Sequence, residues 1–353
     1  MNQSPKPSTE LLHWNMLGFI MLSLRFVQGW IFWGGGSRRF IYDPAKLDPY
    51  APQWMANKLQ STMPGAFFDV GQLLSFLLHH FVFLYVAIII FSLVELISGL
   101  ALIFGIFTRA AAASTALISV VLMILFGWQG TTCLDEWTMA VSNFSMALTL
   151  ILTGSGCYSI DAYLMKRYPH IVQKSWFLLC GSAPWSFNMI KKVGLYFFLA
   201  TSIFTVGSYG YLRGAIISHY HAGPVSADVF HLSLSNGQLN AAGDVSFTVF
   251  VDAGPAAVPI YIMRVEIIDK NLNIIESWEA NQLRLASFIS IQNSYNYNKI
   301  ESGMYGLSAP ESAKATINLF AHQKNKILSS NKFTLRVYTI NGRLWELPLF
   351  VMP

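Results

Sequence analysis

Residues 81–107, FVFLYVAIIIFSLVELISGLALIFGIF, decide the fold class. They run with a single charge, Glu95, near the middle. A helix of ~20 apolar residues crosses a hydrocarbon core, and a lone carboxylate inside that core is costly unless it faces protein. The stretch is therefore read as a membrane span whose Glu95 turns inward to a partner. The expected partner is Arg25, which lies inside the first span. The plain alternative is a structural ion pair locking two helices, with Gly99 and Gly105 letting them approach closely.

Four more apolar runs extend this reading. They are Leu11–Trp33, Ala110–Trp128, Trp137–Cys157 and Val193–Gly214. The composition agrees: charged residues make up 12% of the 353-residue chain and hydrophobic residues 54%. The first run lacks a small-residue cleavage site and is read as a retained span. Residues 34–80 form a long connection, and Ala66–His80 within it is apolar but short, as in an interfacial or re-entrant helix. Residues 159–192 carry aromatic clusters around Trp176 and Trp185 that suit a headgroup region. No internal repeat is evident.

Beyond about residue 215 the pattern changes to short alternating runs. VSFTVFVD (245–252), YIMRVEIID (261–269), 315–319 and 333–339 read as strands. Asn341-Gly342 reads as a type I′ hairpin turn. The expected architecture is a membrane all-α bundle of four helices plus one further transmembrane helix, followed by an all-β, antiparallel sandwich-like domain. The boundaries are 1–170 for the bundle, 171–192 for a cytoplasmic or interfacial linker, 193–214 for the fifth span and 215–353 for the β domain.

Basic residues orient the chain. With the N-terminus cytoplasmic, seven lie inside (Lys6, Arg109, Lys166, Arg167, Lys174, Lys191, Lys192) and four outside (Arg38, Arg39, Lys46, Lys58). Residues 128–137, Gly34–Arg39 and the β domain then fall on the outer side. Cys157 and Cys180 fall inside, which leaves Cys133 without an expected intrachain partner.

Three constellations could carry chemistry. Gly34-Gly35-Gly36-Ser37-Arg38-Arg39 follows the first span. Glycines expose backbone N–H groups and arginines offer fork donors, which together suit an oxyanion. A flexible exit loop with arginines on lipid headgroups is the plain alternative. The second is the Arg25–Glu95 pair, a candidate proton or quinone-headgroup station. The third is Cys133, Asp135 and Glu136, a thiol beside two carboxylates in a short connection. Nearby arginines would favour the thiolate, and the carboxylates could move protons. Helix capping by Asp135 and Glu136 is the plain reading there.

His79 and His80 could pass protons, although a helix end at the membrane surface accounts for them as well. His219 and His221 share a strand face, yet no third metal ligand is visible. The three cysteines show no CxxC spacing, and no Walker or dinucleotide fingerprint occurs, so no metal, haem or flavin is expected. A net charge of +5 without a Lys/Arg-rich run excludes a nucleic-acid surface.

GWIFWGGGSRRF (29–40), ELISGLALIFGIFTR (95–109), GWQGTTCLDEW (127–137) and GSGCYSIDAYL (154–164) together resemble the DoxD subunit of thiosulfate:quinone oxidoreductase, within the wider DoxX-like membrane family. The resemblance covers about residues 10–170. The remainder resembles DoxA, the second small subunit, in architecture, so the chain looks like a DoxD–DoxA fusion.

The resemblance implies that two thiosulfate ions are joined to tetrathionate, with two electrons passed to membrane quinone, a non-covalent acceptor. In that frame Arg38 and Arg39, with Gly35 and Gly36, hold thiosulfate. Cys133 forms a transient sulfur–sulfur bond, and Asp135 and Glu136 handle protons. Arg25, Glu95, His79, His80 and Trp137 serve the quinone and its protons. The expected partners are thiosulfate, quinone and the lipid bilayer, with homo-oligomerisation left open. The expected place is the cytoplasmic (inner) membrane, with the C-terminal domain periplasmic. Two competing readings are a non-enzymatic scaffold of a sulfur redox system and a sulfur-anion transporter. The second is disfavoured by the lack of repeated halves.

Overall fold

A computed structural model describes residues 9–51, 53–68, 70–126, 136–207, 229–255, 258–322 and 332–352, with side chains from Trp14 onward. The described residues form two compact units. The first is helical and the second is built on β-sheet, as the sequence leads one to expect.

The first span is longer than its apolar run and is broken. Helix α1 (Thr9–Ile20) meets α2 (Leu22–Ser37) at a bend of 54°, and the helical path of α2 continues to Tyr42. The three glycines at 34–36 therefore lie in the last turn of α2, not in an exit loop. Residues 38–42 widen into a π-helical turn, in which the Asp43 N–H donates to the Arg38 carbonyl at 2.6 Å. A 3-10 turn over Pro44–Leu47 then reverses the chain.

Helix α3 (Met55–Ser61) and α4 (Val70–His79) follow, then α5 (Phe81–Phe104), α6 (Thr108–Phe126) and α7 (Glu136–Thr153). Helix α5 buries Leu84, Ile88, Ser92, Glu95, Gly99 and Leu102. Steps of three and four residues put them on one stripe, and apolar side chains such as Val82, Val86, Ile90, Ile97 and Phe104 are exposed on the other faces, as a lipid-facing surface would be. Helices α5 and α6 and the later α10 (Phe187–Gly207) are long and apolar enough to cross a membrane, and the bent α1–α2 pair passes as a fourth span. Helix α7 has 18 residues, ~27 Å at the helical rise, but serine, threonine and asparagine make it less apolar. It packs along α6, with Ala140, Asn143, Ala147 and Leu150 buried. Short helices α8 (Ile160–Arg167) and α9 (Ser175–Cys180) complete this unit between α7 and α10.

The second unit holds β1 (His231–Leu239), β2 (Val245–Ala253), β3 (Ile260–Asp269), β4 (Ile274–Glu279), β5 (Ile289–Asn293), β6 (Glu301–Gly303), β7 (Gly306–Ala309), β8 (Lys314–Leu319), β9 (Phe333–Thr339) and β10 (Leu344–Val351). The path runs β5-β8-β2-β1-β10-β9-β3-β7-β6, with β4 on β3. Phe247, Val249 and Val251 of β2 alternate inward with Val265 and Ile267 of β3, Leu335 and Val337 of β9, and Trp278 of β4. The expected antiparallel character holds except at the seam, where β1 and β10 pair in parallel over Gln238↔Phe350 and Leu239↔Val351.

The Asn341-Gly342 hairpin forms, but with a different turn. Of these two only Gly342 has positive φ (77°), and Thr339 N–H donates to the Arg343 carbonyl at 3.1 Å. That is a three-residue loop closed by a left-handed glycine. A type I′ turn would need positive φ at both central residues.

Residues 66–80 are also more specific than an apolar interfacial stretch. Helix α4 belongs, with the rest of Ala56–Phe81, to the compact unit of the β domain.

Candidate functional site

Glycines set the distance between α2 and α5. A Cβ on Gly99 would lie 2.2 Å from the Trp33 backbone nitrogen, and one on Gly36 would lie 2.6 Å from that of Leu96. One on Gly29 would meet the Ile103 nitrogen at 2.8 Å. Such small-residue seams let membrane helices approach backbone to backbone. Gly35 has a further role: a Cβ there would sit 2.3 Å from Glu95 Oε1. The bare face of Gly35 is thus the space the Glu95 carboxylate occupies.

Glu95 pairs with Arg39. The Arg39 Nη1 donates to Glu95 Oε2, and both side chains are largely enclosed, at 14% and 12% exposure. The guanidinium also lies 5.7 Å from the Phe91 ring centroid. This corrects the expected Arg25–Glu95 pair. Arg25 and Arg39 are both on the α2 path, fourteen residues and roughly 21 Å apart at the helical rise. Glu95 is level with the far end, so only Arg39 can reach it. Two opposite charges in a low-dielectric interior answer each other, as an embedded carboxylate requires.

Around this pair lies a cluster of charge. Arg38 is exposed on the π turn. Lys46 is carried back by the 3-10 turn, with its Nζ 3.9 Å from Asp43 Oδ2. Burial holds the Lys46 ammonium below its ordinary value, and Arg38 lowers it further, while Asp43 acts the other way. Three cations thus surround two carboxylates, an excess of one positive charge. Lys46 was not singled out in the sequence. The only available signal was Pro44 after Asp43, which marks a turn that folds the chain back.

An aromatic ladder climbs the same helix. Phe26 stacks on Trp30 at 6.0 Å, Trp30 lies 4.8 Å from Trp33, and Trp33 meets Tyr42 edge-on at 6.3 Å. Phe26, Trp30 and Tyr42 are exposed on the bundle surface.

Arg25 serves the opposite end. Its Nη1 donates to the Ser155 carbonyl and its Nη2 to that of Tyr158 at 2.7 Å. Asp161 is fully buried beside it. It accepts from the backbone N–H groups of Phe107 (2.8 Å) and Thr108 (3.1 Å), and from the Ser182 hydroxyl at 2.7 Å. It therefore caps the first turn of α6, where a carboxylate meets the positive end of the helix dipole. Arg109 is also buried. It donates to the carbonyls of Ile151 (2.8 Å) and Ala183 (2.7 Å) and lies 4.3 Å from the Trp185 ring. Thr108-Arg109 and the aspartate of Ser159-Ile160-Asp161 thus form one structural knot. At mid-bundle Gln28 ties three helices, its Nε2 donating to the Asn143 carbonyl at 3.1 Å and reaching Thr115 Oγ1 at 3.5 Å.

The remaining candidates divide. Glu136 opens α7 in a half-buried position, and Trp137 beside it is buried. Cys133 and Asp135 lie outside the described residues, as do His219 and His221. His79 and His80 are exposed, and each Nδ1 donates to the carbonyl four residues back, Ser75 at 2.7 Å and Phe76 at 2.8 Å. Both close the C-terminal turn of α4. Among the described residues, no group of three or more His, Cys, Asp or Glu could hold a metal ion.

Comparison with known proteins agrees with the motifs. The family model described as "TQO small subunit DoxD" matches residues 20–196, and that described as "TQO small subunit DoxA" matches 227–347. Two solved structures, the archaellum periplasmic stator protein FlaG from Sulfolobus acidocaldarius and its complex of FlaF and FlaG, align at 9% and 12% identity. They cover 34% and 37% of this chain and 99% of each of those chains, with TM-scores of 0.23 and 0.24, too low to carry an argument. The DoxD match spans half of the chain and the DoxA match follows it in order. The protein therefore belongs to the DoxD family of TQO small subunits and carries a DoxA module fused behind its membrane helices.

Proposed function

We propose that the protein oxidises thiosulfate to tetrathionate and passes the electrons to membrane quinone. The observation that carries this reading is the excess positive charge of Arg38, Arg39 and Lys46 where the α2 span ends, beside an embedded carboxylate. Thiosulfate is a dianion, and Arg38 and Lys46 are the cations best able to receive it, because Arg39 is engaged by Glu95. The Phe26–Trp30–Trp33–Tyr42 ladder along α2 and its π turn, exposed at Phe26, Trp30 and Tyr42, supports a flat quinone ring approaching from lipid to the Arg39–Glu95 level.

The reaction has two steps. The Cys133 thiolate and one thiosulfate join through a new sulfur–sulfur bond, and two electrons leave to the quinone. A second thiosulfate then displaces the thiolate and departs as tetrathionate. The quinone takes up two protons, for which Glu95, Asp135 and Glu136 are the candidate relays. The site faces the outer, periplasmic side of the cytoplasmic membrane in this reading, in accord with the basic-residue count.

A scaffold role has one observation in its favour: the Arg39–Glu95 pair and the Asp161 knot each suffice to lock helices. Purified full-length protein in lipid separates the two readings. Thiosulfate as sole donor should reduce a soluble quinone analogue, and Arg38→Gln should raise the thiosulfate KM tenfold or more. No reduction by folded, lipid-replete protein favours the scaffold. Full turnover in Cys133→Ser removes the covalent step and leaves direct coupling of two thiosulfates at bound quinone.

A further inference from the structure

Residues 56–81 lie inside the stretch that matches DoxD, yet they pack into the unit formed by the DoxA-matched β domain. The contact is specific. Gln60 is fully buried, and its side-chain amide is used on both sides. Its Nε2 donates to the carbonyls of Asn298 and Ser312, each at 2.9 Å, and its Oε1 accepts the Asn298 N–H at 3.0 Å. Gln60 thus pairs with the Asn298 backbone as a neighbouring strand would. The Asn298 side chain answers by donating to the Asn57 carbonyl at 3.0 Å. Farther along, Ser75 Oγ and the Tyr295 hydroxyl lie 3.1 Å apart, and the His79 ring lies tilted against the Tyr295 ring, 5.1 Å between centroids. Leu74 and Leu78, on the same face of α4 as Ser75, are buried.

A connection between two membrane helices has no need of such a match to a sheet domain more than two hundred residues away unless the match itself is used. Buried amide groups are costly to leave unpaired, so a contact of this kind is all-or-none and selective for its partner. We infer that residues 56–81 are the docking element by which a DoxD-type membrane subunit captures a DoxA-type β module. The contact made here within one polypeptide would join the two where they are separate chains. This inference does not depend on the proposed reaction.

The full-length protein provides the test. A protease site inserted within residues 208–228 separates the chain into a membrane part and a β module after purification in detergent. The two parts should then co-migrate on gel filtration, and released module should rebind. Gln60→Ala, and the shape-preserving Gln60→Glu, which turns an acceptor toward two carbonyls, should each weaken rebinding at least tenfold. Tyr295→Phe should weaken it less. Unfolding of each uncleaved variant, followed by circular dichroism, separates loss of docking from loss of fold. Release of the module from the cleaved wild type overturns the inference, as does full retention by both well-folded Gln60 variants.

Discussion

Glu95 shows what a residue type can and cannot disclose. An embedded carboxylate demands a cationic partner, and that demand was legible in the sequence. The identity of the partner was not, because it depends on which turn of α2 lies level with Glu95. The glycine seam fixes that level and selects Arg39. Glu95→Ala strands the Arg39 charge and should destabilise the protein by about 3–5 kcal/mol, as removal of one partner of a buried pair does. Chemical unfolding in detergent measures it. Glu95→Gln keeps the shape and removes the charge. If Glu95 relays protons, kcat for quinone reduction should fall about 100-fold with an unchanged thiosulfate KM. Lys46 makes a pH prediction. Its ammonium titrates below the ordinary lysine value, so its charge is complete at low pH and is lost as pH rises through the shifted value. Thiosulfate KM should therefore climb on the alkaline side, and Lys46→Arg should move that climb to higher pH. Identical pH profiles for the two proteins would remove Lys46 from the anion site.

At the level of elements, apolar length located α5 and α6 to within about three residues, whereas α10 begins at Phe187, ahead of the expected Val193; alternation located β2, β3, β8 and β9. Other features escaped for physical reasons. Gly34-Gly35-Gly36 reads as a loop by backbone freedom alone, but embedded helices tolerate glycine where a neighbouring backbone is close. The alternation rule also missed β1, whose pattern is interrupted by Asn236-Gly237 at a register shift, and β4 to β7, which are short or largely exposed. The helix-packing account predicts that Gly99→Val destabilises the bundle by about 1–3 kcal/mol, because its Cβ meets the Trp33 backbone and cannot be relieved by a rotamer change. A thermal-unfolding midpoint equal to that of the wild type would contradict the seam.

At the scale of the whole molecule, a membrane bundle and a β domain share one chain, in the order DoxD then DoxA. That order was legible in motif and composition. The association of residues 56–81 with the β domain was not, since it rests on a few side chains, Gln60 foremost, matched to groups more than two hundred residues away in sequence. The most direct measurement is a single-turnover reaction of the purified, lipid-replete protein with thiosulfate and a stoichiometric quinone analogue. The account predicts one quinol and one tetrathionate for every two thiosulfates consumed, with both products lost together when Arg38 and Lys46 are replaced by glutamine. Quinone that stays oxidised, or quinol formed without tetrathionate, would contradict it.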